Sequence, residues 1–143
     1  MIYEATISYI SVDEKGKDKR VKENFLVENA LSFAEVETLL AMDFGERTEF
    51  DVIAIKRSRI HEIANAKGKD NKIFLAEVAD VFLQDDGSEK DVKYTIALWA
   101  ENIEKAHALM SEYLKQGYSM VLRGIKETNF TDVLDIAQEA GIK

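Results

Sequence analysis

Two histidines, His61 and His107, are the natural starting point for acid–base or metal chemistry in this 143-residue chain, because histidine alone ordinarily titrates near neutral pH. His61 stands beside Glu62 at an expected strand end. His107 falls on an expected helix, between its apolar stripe and solvent. A metal site needs three or four converging ligands, and no His-x-x-x-His pair exists. Both therefore read as surface residues, and no metal site is expected. The chain has no cysteine, which removes disulfides, thiolate catalysis and cysteine–zinc sites. Phosphate-cradling glycine patterns are missing as well. Asp85-Asp86-Gly87-Ser88-Glu89 is rich in oxygen ligands, but it lacks calcium-loop spacing and reads as a hairpin turn. No catalytic residue, no cofactor and no enzymatic activity are expected.

The basic residues offer a different chemistry. Lys19, Arg20 and Lys22 crowd the first expected hairpin with Lys15 and Lys17, while Lys56, Arg57 and Arg59 end the third expected strand. Lys22 and Lys56 have counterparts in Lys93 and Lys126, at offsets of 71 and 70. Lysine and arginine hold phosphates, and strand aromatics such as Tyr9 and Tyr94 can stack on unpaired bases. The expected nucleic-acid-binding set is therefore Lys19, Arg20, Lys22, Lys56, Arg57, Arg59, Lys93, Tyr9 and Tyr94, on one sheet surface. The competing explanation is structural, since lysines also guard sheet edges and strand aromatics also fill cores.

The elements that would position these residues come from an internal repeat. Tyr3-Glu4-Ala5-Thr6-Ile7 lies over Phe74-Leu75-Ala76-Glu77-Val78, Gly16 over Gly87, and Lys19, Val21 and Lys22 over Lys90, Val92 and Lys93. After a one-residue slip, Ile55-Lys56 meets Ile125-Lys126 and Ile60 meets Phe130. Each copy reads as β–β–α–β. Alternation over residues 2–12 predicts a half-buried strand, Asp13–Asp18 a turn, and Val21, Phe25 and Val27 the return strand. Ser32-Phe33-Ala34-Glu35 predicts a capping box for a helix buried through Phe33, Val36, Leu39 and Leu40. Phe50–Lys56, apolar on both faces at its start, reads as a central strand.

In the second copy Ile73–Leu83, the Val92–Leu98 strand, a helix capped by Asn102 and Met120–Ile125 repeat this order. A final helix capped by Thr131 and ending at Gly141 is expected to bury Val133, Leu134 and Ala137. The fold class is thus α+β: two pseudo-two-fold-related β-β-α-β repeats with largely antiparallel sheet, plus a C-terminal helix. The repeats span 1–63 and 73–135, with residues 64–72 as linker, in one domain over 1–143.

Composition bounds the function classes. Apolar residues at 46% and charged residues at 32% fit a globular chain rather than a disordered one. No apolar run reaches the roughly 20 residues that span a bilayer, and Met1-Ile2-Tyr3-Glu4 does not open a signal peptide, so a cytoplasmic location and no membrane partner are expected. The net charge of −8 excludes a generally basic nucleic-acid binder. It is uneven, however: residues 1–72 hold 12 Lys+Arg against 14 Asp+Glu, and residues 73–143 hold 7 against 13. Any basic patch must be local.

Tyr3-Glu4-Ala5, Ala30-Leu31-Ser32-Phe33-Ala34-Glu35-Val36-Glu37 and Ala54-Ile55-Lys56-Arg57 resemble an uncharacterised domain-of-unknown-function family of Bacteroides-type bacteria and their phages. The resemblance implies a phage-linked protein, in the host cytoplasm if phage-encoded, and supplies no catalytic residue. At the level of fold alone, duplicated strand-rich units with an amphipathic helix resemble the single-stranded-DNA-binding Whirly proteins and positive cofactor four. The expected function is a non-enzymatic protein that binds single-stranded nucleic acid through a local basic sheet surface. The alternative is a protein-interaction or virion-associated structural module, with a protein partner or a homo-oligomer in place of nucleic acid.

Overall fold

The computed structural model describes residues 1–45, 49–116 and 120–139. The chain divides into two compact units, one of Met1–Ser58 with Phe130–Lys143 and the other of Arg59–Asn129. It is an α+β structure with two mostly antiparallel four-stranded sheets, each carrying one twelve-residue helix.

In the first unit, β1 (Tyr3–Val12) and β2 (Asp18–Glu28) form the expected hairpin. Its turn needs a left-handed residue, which Gly16 supplies at φ 76°, and Asp13 accepts from the Lys15 and Lys17 amides at 2.9 Å. Helix α1 (Phe33–Phe44) starts where the sequence says it should. The Ser32 hydroxyl accepts from the Glu35 amide at 3.2 Å, and the Glu35 carboxylate reaches back to the Leu31 amide at 2.6 Å. Val36, Leu39 and Leu40 bury against Tyr3, Ala5, Ile7, Phe25 and Val27. Phe33 stays half-exposed, its ring edge-on to Tyr3 at 5.2 Å.

Strand β3 (Phe50–Arg57) follows and pairs with β1. It is an edge strand rather than the expected central one, because the sheet order is β3-β1-β2-β8. Its apolar run reflects two environments. Phe50 and Ile55 pack on the helix-side core, while Val52 and Ile53 face solvent. Ile53 is the extra residue of a bulge, since Ala54 pairs with Thr6 and Val52 with Ile7.

The second unit runs through β4 (Ile60–Ile63), β5 (Lys72–Leu83), β6 (Glu89–Ala100), α2 (Ile103–Leu114) and β7 (Met120–Glu127), with sheet order β4-β6-β5-β7. Gly87 takes φ 85° in its turn. The Asn102 side chain accepts from the Lys105 amide at 2.8 Å. Ala106, Met110 and Leu114 bury against Phe74, Ala76, Val78, Ile96 and Leu98, whereas Ile103 and Leu109 are exposed. The expected linker is anchored at its start. Asn65 exchanges two hydrogen bonds with the Trp99 backbone, at 2.9 and 2.7 Å, and the Lys67 ammonium sits 5.3 Å from the Trp99 ring centre.

The expected final helix is mostly strand. β8 (Phe130–Asp135) pairs in parallel with β2, and only α3 (Ile136–Glu139), a single turn, is helical. Gly141 lies outside the described residues. The physical reason is a choice between two uses of Val133 and Leu134. In the strand they stand opposite Leu26 and Val27, both fully buried, and they close a ladder that a helix would leave open. The short β4 does the same for β6, with Ile60 opposite Thr95 and Ile63 opposite Ala97.

Removing residues 130–143 should therefore cost at least about 3 kcal/mol in lost apolar burial and ladder bonds. The melting temperature should fall by on the order of 10 °C, as circular dichroism would measure. Glu28 offers a second test. Burial, and then the Asp135 carboxylate beside it, raise its carboxyl above the ordinary value of 4.5, with the N-terminal ammonium opposing. The folded state thus binds the proton more tightly than the unfolded chain does. The ionised form costs stability above the folded pKa, and that cost is relieved as pH falls through it. Glu28→Gln should stabilise the fold at pH 7, by less than about 1 kcal/mol after solvent screening, read as a small rise in melting temperature. The gain should fade as pH approaches 4.5.

Candidate nucleic-acid interface

Residues directly opposite in an antiparallel ladder share a face, so the strand registers sort the basic residues. In the first sheet Arg20 and Lys22 stand opposite Ile10 and Ser8, and Lys56 opposite Glu4, all on the face away from α1. Lys19 and Arg57, opposite Ser11 and Tyr3, share the helix-side face. Lys22 and Lys56 are separated by about 13 Å along the strands and by two strand spacings across them. Arg20 donates to the Ser8 hydroxyl at 2.9 Å and lies 3.8 Å from Asp51, Lys56 lies 3.9 Å from Glu4, and Arg57 donates to the Met1 sulfur at 3.0 Å. Tyr9 packs beside the core, and its hydroxyl donates to Glu23 at 2.5 Å. That bond, foremost, raises its pKa.

Arg59 and Lys93 belong to the second unit. Lys22 and Lys93 hold matching strand positions in two separate sheets, so the expected pair of positive spots on one sheet surface does not form.

Two grooves can be compared on their charge. One, of about 500 Å³, is lined in the first unit by Ser8, Tyr9, Ile10, Arg20, Gly45, Glu49, Phe50 and Asp51. Among its described lining residues the one cation, Arg20, is already engaged by Ser8 and Asp51. The other, of about 490 Å³, lies in the second unit and brings together Arg59, Lys93 and Arg123 with Glu77, Asp91, Tyr94 and Thr95. Its cations come from three elements. Arg59 precedes β4, which lies along β6 with Ile60 opposite Thr95. Lys93 stands on β6 opposite Ala79. Arg123 is the extra residue of a bulge in β7, because Gly124 pairs with Glu77 and Leu122 with Val78. A bulge re-aims its side chain, and the guanidinium reaches across β5 to the Asp91 carboxylate at 3.4 Å. Arg59 and Lys93 are exposed and make no ion pair among the described residues. Tyr94 packs partly into the helix-side core, with its ring edge-on to His61 at 5.0 Å, so it borders the groove as a wall rather than offering a free stacking face.

Of the nine expected residues, three meet here: Arg59, Lys93 and Tyr94. Arg123, Glu77, Asp91 and Thr95 were not anticipated. Arg123 is hidden from a comparison of the copies because its counterpart in the first is Ile53. Neither histidine joins the groove lining. Glu104 and His107 stand one turn apart on α2, both exposed, and among the described residues no group of three or more His, Asp or Glu is placed to hold a metal ion. No helix among these residues is long and apolar enough to cross a membrane.

The family model for a domain of unknown function, DUF4494, matches residues 1–136. The chain belongs to the DUF4494 family. No curated protein and no solved structure matches it. In this DUF4494 chain, the groove on the second sheet holds two cations, Arg59 and Lys93, that make no ion pair among the described residues.

Proposed function

We propose that this DUF4494 protein makes and breaks no bonds and holds single-stranded nucleic acid by its phosphates, in the groove of the second unit. The observation that carries this reading is the convergence of Arg59, Lys93 and Arg123 on one open groove, with Arg59 and Lys93 free of ion pairs among the described residues. Lysine and arginine side chains lining one groove can hold phosphates, and the Thr95 hydroxyl can donate to a phosphate oxygen. Glu77 and Asp91 set the groove's limits. Asp91 is neutralised by Arg123, while Glu77 repels a strand laid directly over β5, so the backbone is held along the β4–β6 side.

We also infer that the two units are diverged copies of one ancestor. Both halves of the sequence run β–β–α–β–β, and both sheets take the same strand order and receive their fourth strand in parallel from the other half of the sequence. Bulges interrupt β3 and β7 at corresponding places. On this reading the copies have diverged in charge. The first places Arg20 and Ile53 where the second has Asp91 and Arg123, and the second carries a groove lined by Arg59, Lys93 and Arg123. The proposal rests on that groove, not on a likeness to Whirly proteins.

Anisotropy of a labelled oligothymidine, titrated with the protein at low and raised salt, tests the reading. About three phosphate contacts predict binding that weakens roughly twentyfold for a fourfold rise in salt. Lys93→Glu or Arg59→Glu should weaken it at least about tenfold, and Lys56→Glu in the first unit should leave it nearly unchanged. No binding at low salt overturns the proposal. Equal losses from Lys56→Glu and Lys93→Glu remove the contact from this groove.

A further inference from the structure

Hairpin tips are normally polar, because they run through solvent. Both tips here depart from that rule at the same register. At the end of the β1–β2 arm Ile10 and Val12 are 45% and 64% exposed, opposite Arg20 and Asp18. At the end of the β5–β6 arm Phe82 and Leu83 are 46% and 77% exposed, opposite Lys90 and Glu89, and Val81 stands opposite Asp91. A single exposed apolar residue needs no explanation. On the second arm Val81 and Leu83 share the face that Ile10 and Val12 hold on the first, with Phe82 on the opposite face, so each arm carries an apolar pair at one register, a pad edged by charge on the neighbouring strand.

The pads differ in sign. Residues 10–22 contain five Lys or Arg against three Asp or Glu, and residues 81–93 contain two against four. The first tip carries Lys15, Lys17 and Lys19, and the second Asp85, Asp86 and Glu89. The acidic tip is held in its charged form. Asp86 accepts from the Ser88 hydroxyl at 2.5 Å and from its amide at 2.9 Å, which lowers its pKa.

We propose that the two tips are the complementary halves of one head-to-tail interface, and that the partner of each is a second copy of this chain. The apolar residues of the basic tip, Ile10 and Val12, pack on Val81 and Leu83 of the acidic tip, and the lysines of one turn meet the carboxylates of the other. Both pads lie on every chain and are different surfaces, so the contact is heterologous. It joins one chain to the next, so association continues beyond the first encounter until the assembly closes on itself. Its opposite charges speed encounter and set orientation, and raised salt weakens it.

Sedimentation velocity over a concentration series, at low and raised salt, tests this on the intact protein. The wild type should grow through dimers to larger species as concentration rises, and less so in high salt. Val12→Asp blocks one pad and Leu83→Asp the other. Both sites are exposed, so circular dichroism should show either variant folded. Each variant alone should be at least about tenfold weaker in association, while an equimolar mixture should form a one-to-one dimer through the two intact pads and go no further. A wild type that stays monomeric throughout overturns the proposal. So does association by either variant alone at wild-type strength, or a mixture of the two that remains monomeric.

Discussion

The strand that completes each sheet comes from the other half of the sequence, and the rest of the structure depends on that pairing. Without β8, the backbone of β2 from Asn24 to Glu28 would face water with an unmatched ladder beside the buried Phe25, Leu26 and Val27. Without β4, the stretch of β6 from Thr95 to Ala97 would do the same. An exposed, apolar edge of this kind is both unstable and prone to pair with other chains. Parallel pairing cannot be made by a tight turn, so each closing strand must arrive from a distant part of the chain. Here the two halves supply one another, through connections as short as Ser58-Arg59 and Thr128-Asn129. A small sheet with one helix on it gains both an edge partner and added core in this way.

That same exchange builds the groove. Arg59 reaches Lys93 and Tyr94 only because β4 leaves β3 and docks along β6. Had β4 continued beside β3, Arg59 would have joined Lys56 and Arg57 at the end of one sheet. The groove's other cation, Arg123, is aimed by an irregularity of the opposite edge strand. Two features of the β-sheet that carry no side-chain chemistry of their own, a strand exchange and a bulge, thus decide where charge accumulates. The acidic composition matters less than its placement, since Asp91 is paired by Arg123 while Arg59 and Lys93 make no ion pair among the described residues.

The two units show how one scaffold tolerates opposite electrostatics. The cross-strand ion pair of the first sheet runs from Arg20 on β2 to Asp51 on β3, and that of the second from Asp91 on β6 to Arg123 on β7. The polarity is reversed while the span, across a central strand, is kept. Exposed pairs of this kind add little stability, so their sign is free to change without cost to the fold. The apolar positions beneath them are not free in that way. Tyr3, Ala5 and Ile7 in one sheet and Phe74, Ala76 and Val78 in the other fill the same strand positions under a helix.

What depends on near neighbours was legible in the residues themselves. The alternation of Tyr3, Ala5 and Ile7, the glycines at both turns, the caps Ser32 and Asn102, and the stripe of Val36, Leu39 and Leu40 are each decided within a few positions along the chain. Helix ends, hairpins and strand faces are short-range matters of hydrogen bonding and side-chain period. Two kinds of feature were not legible. Val133 and Leu134 satisfy a helical stripe and a strand face alike, and only the open edge of β2 decides between them. Phe50–Ile55 looks the same at a sheet's centre and at its edge until the partners of β1 are known. The site divides along the same line. The supply of lysine and arginine was plain in the sequence, but the meeting of Arg59, Lys93 and Arg123 was not, because it is made by pairings between residues dozens of positions apart. Free energy gained across such distances leaves no local pattern, and it is settled only when competing strands have found their edges.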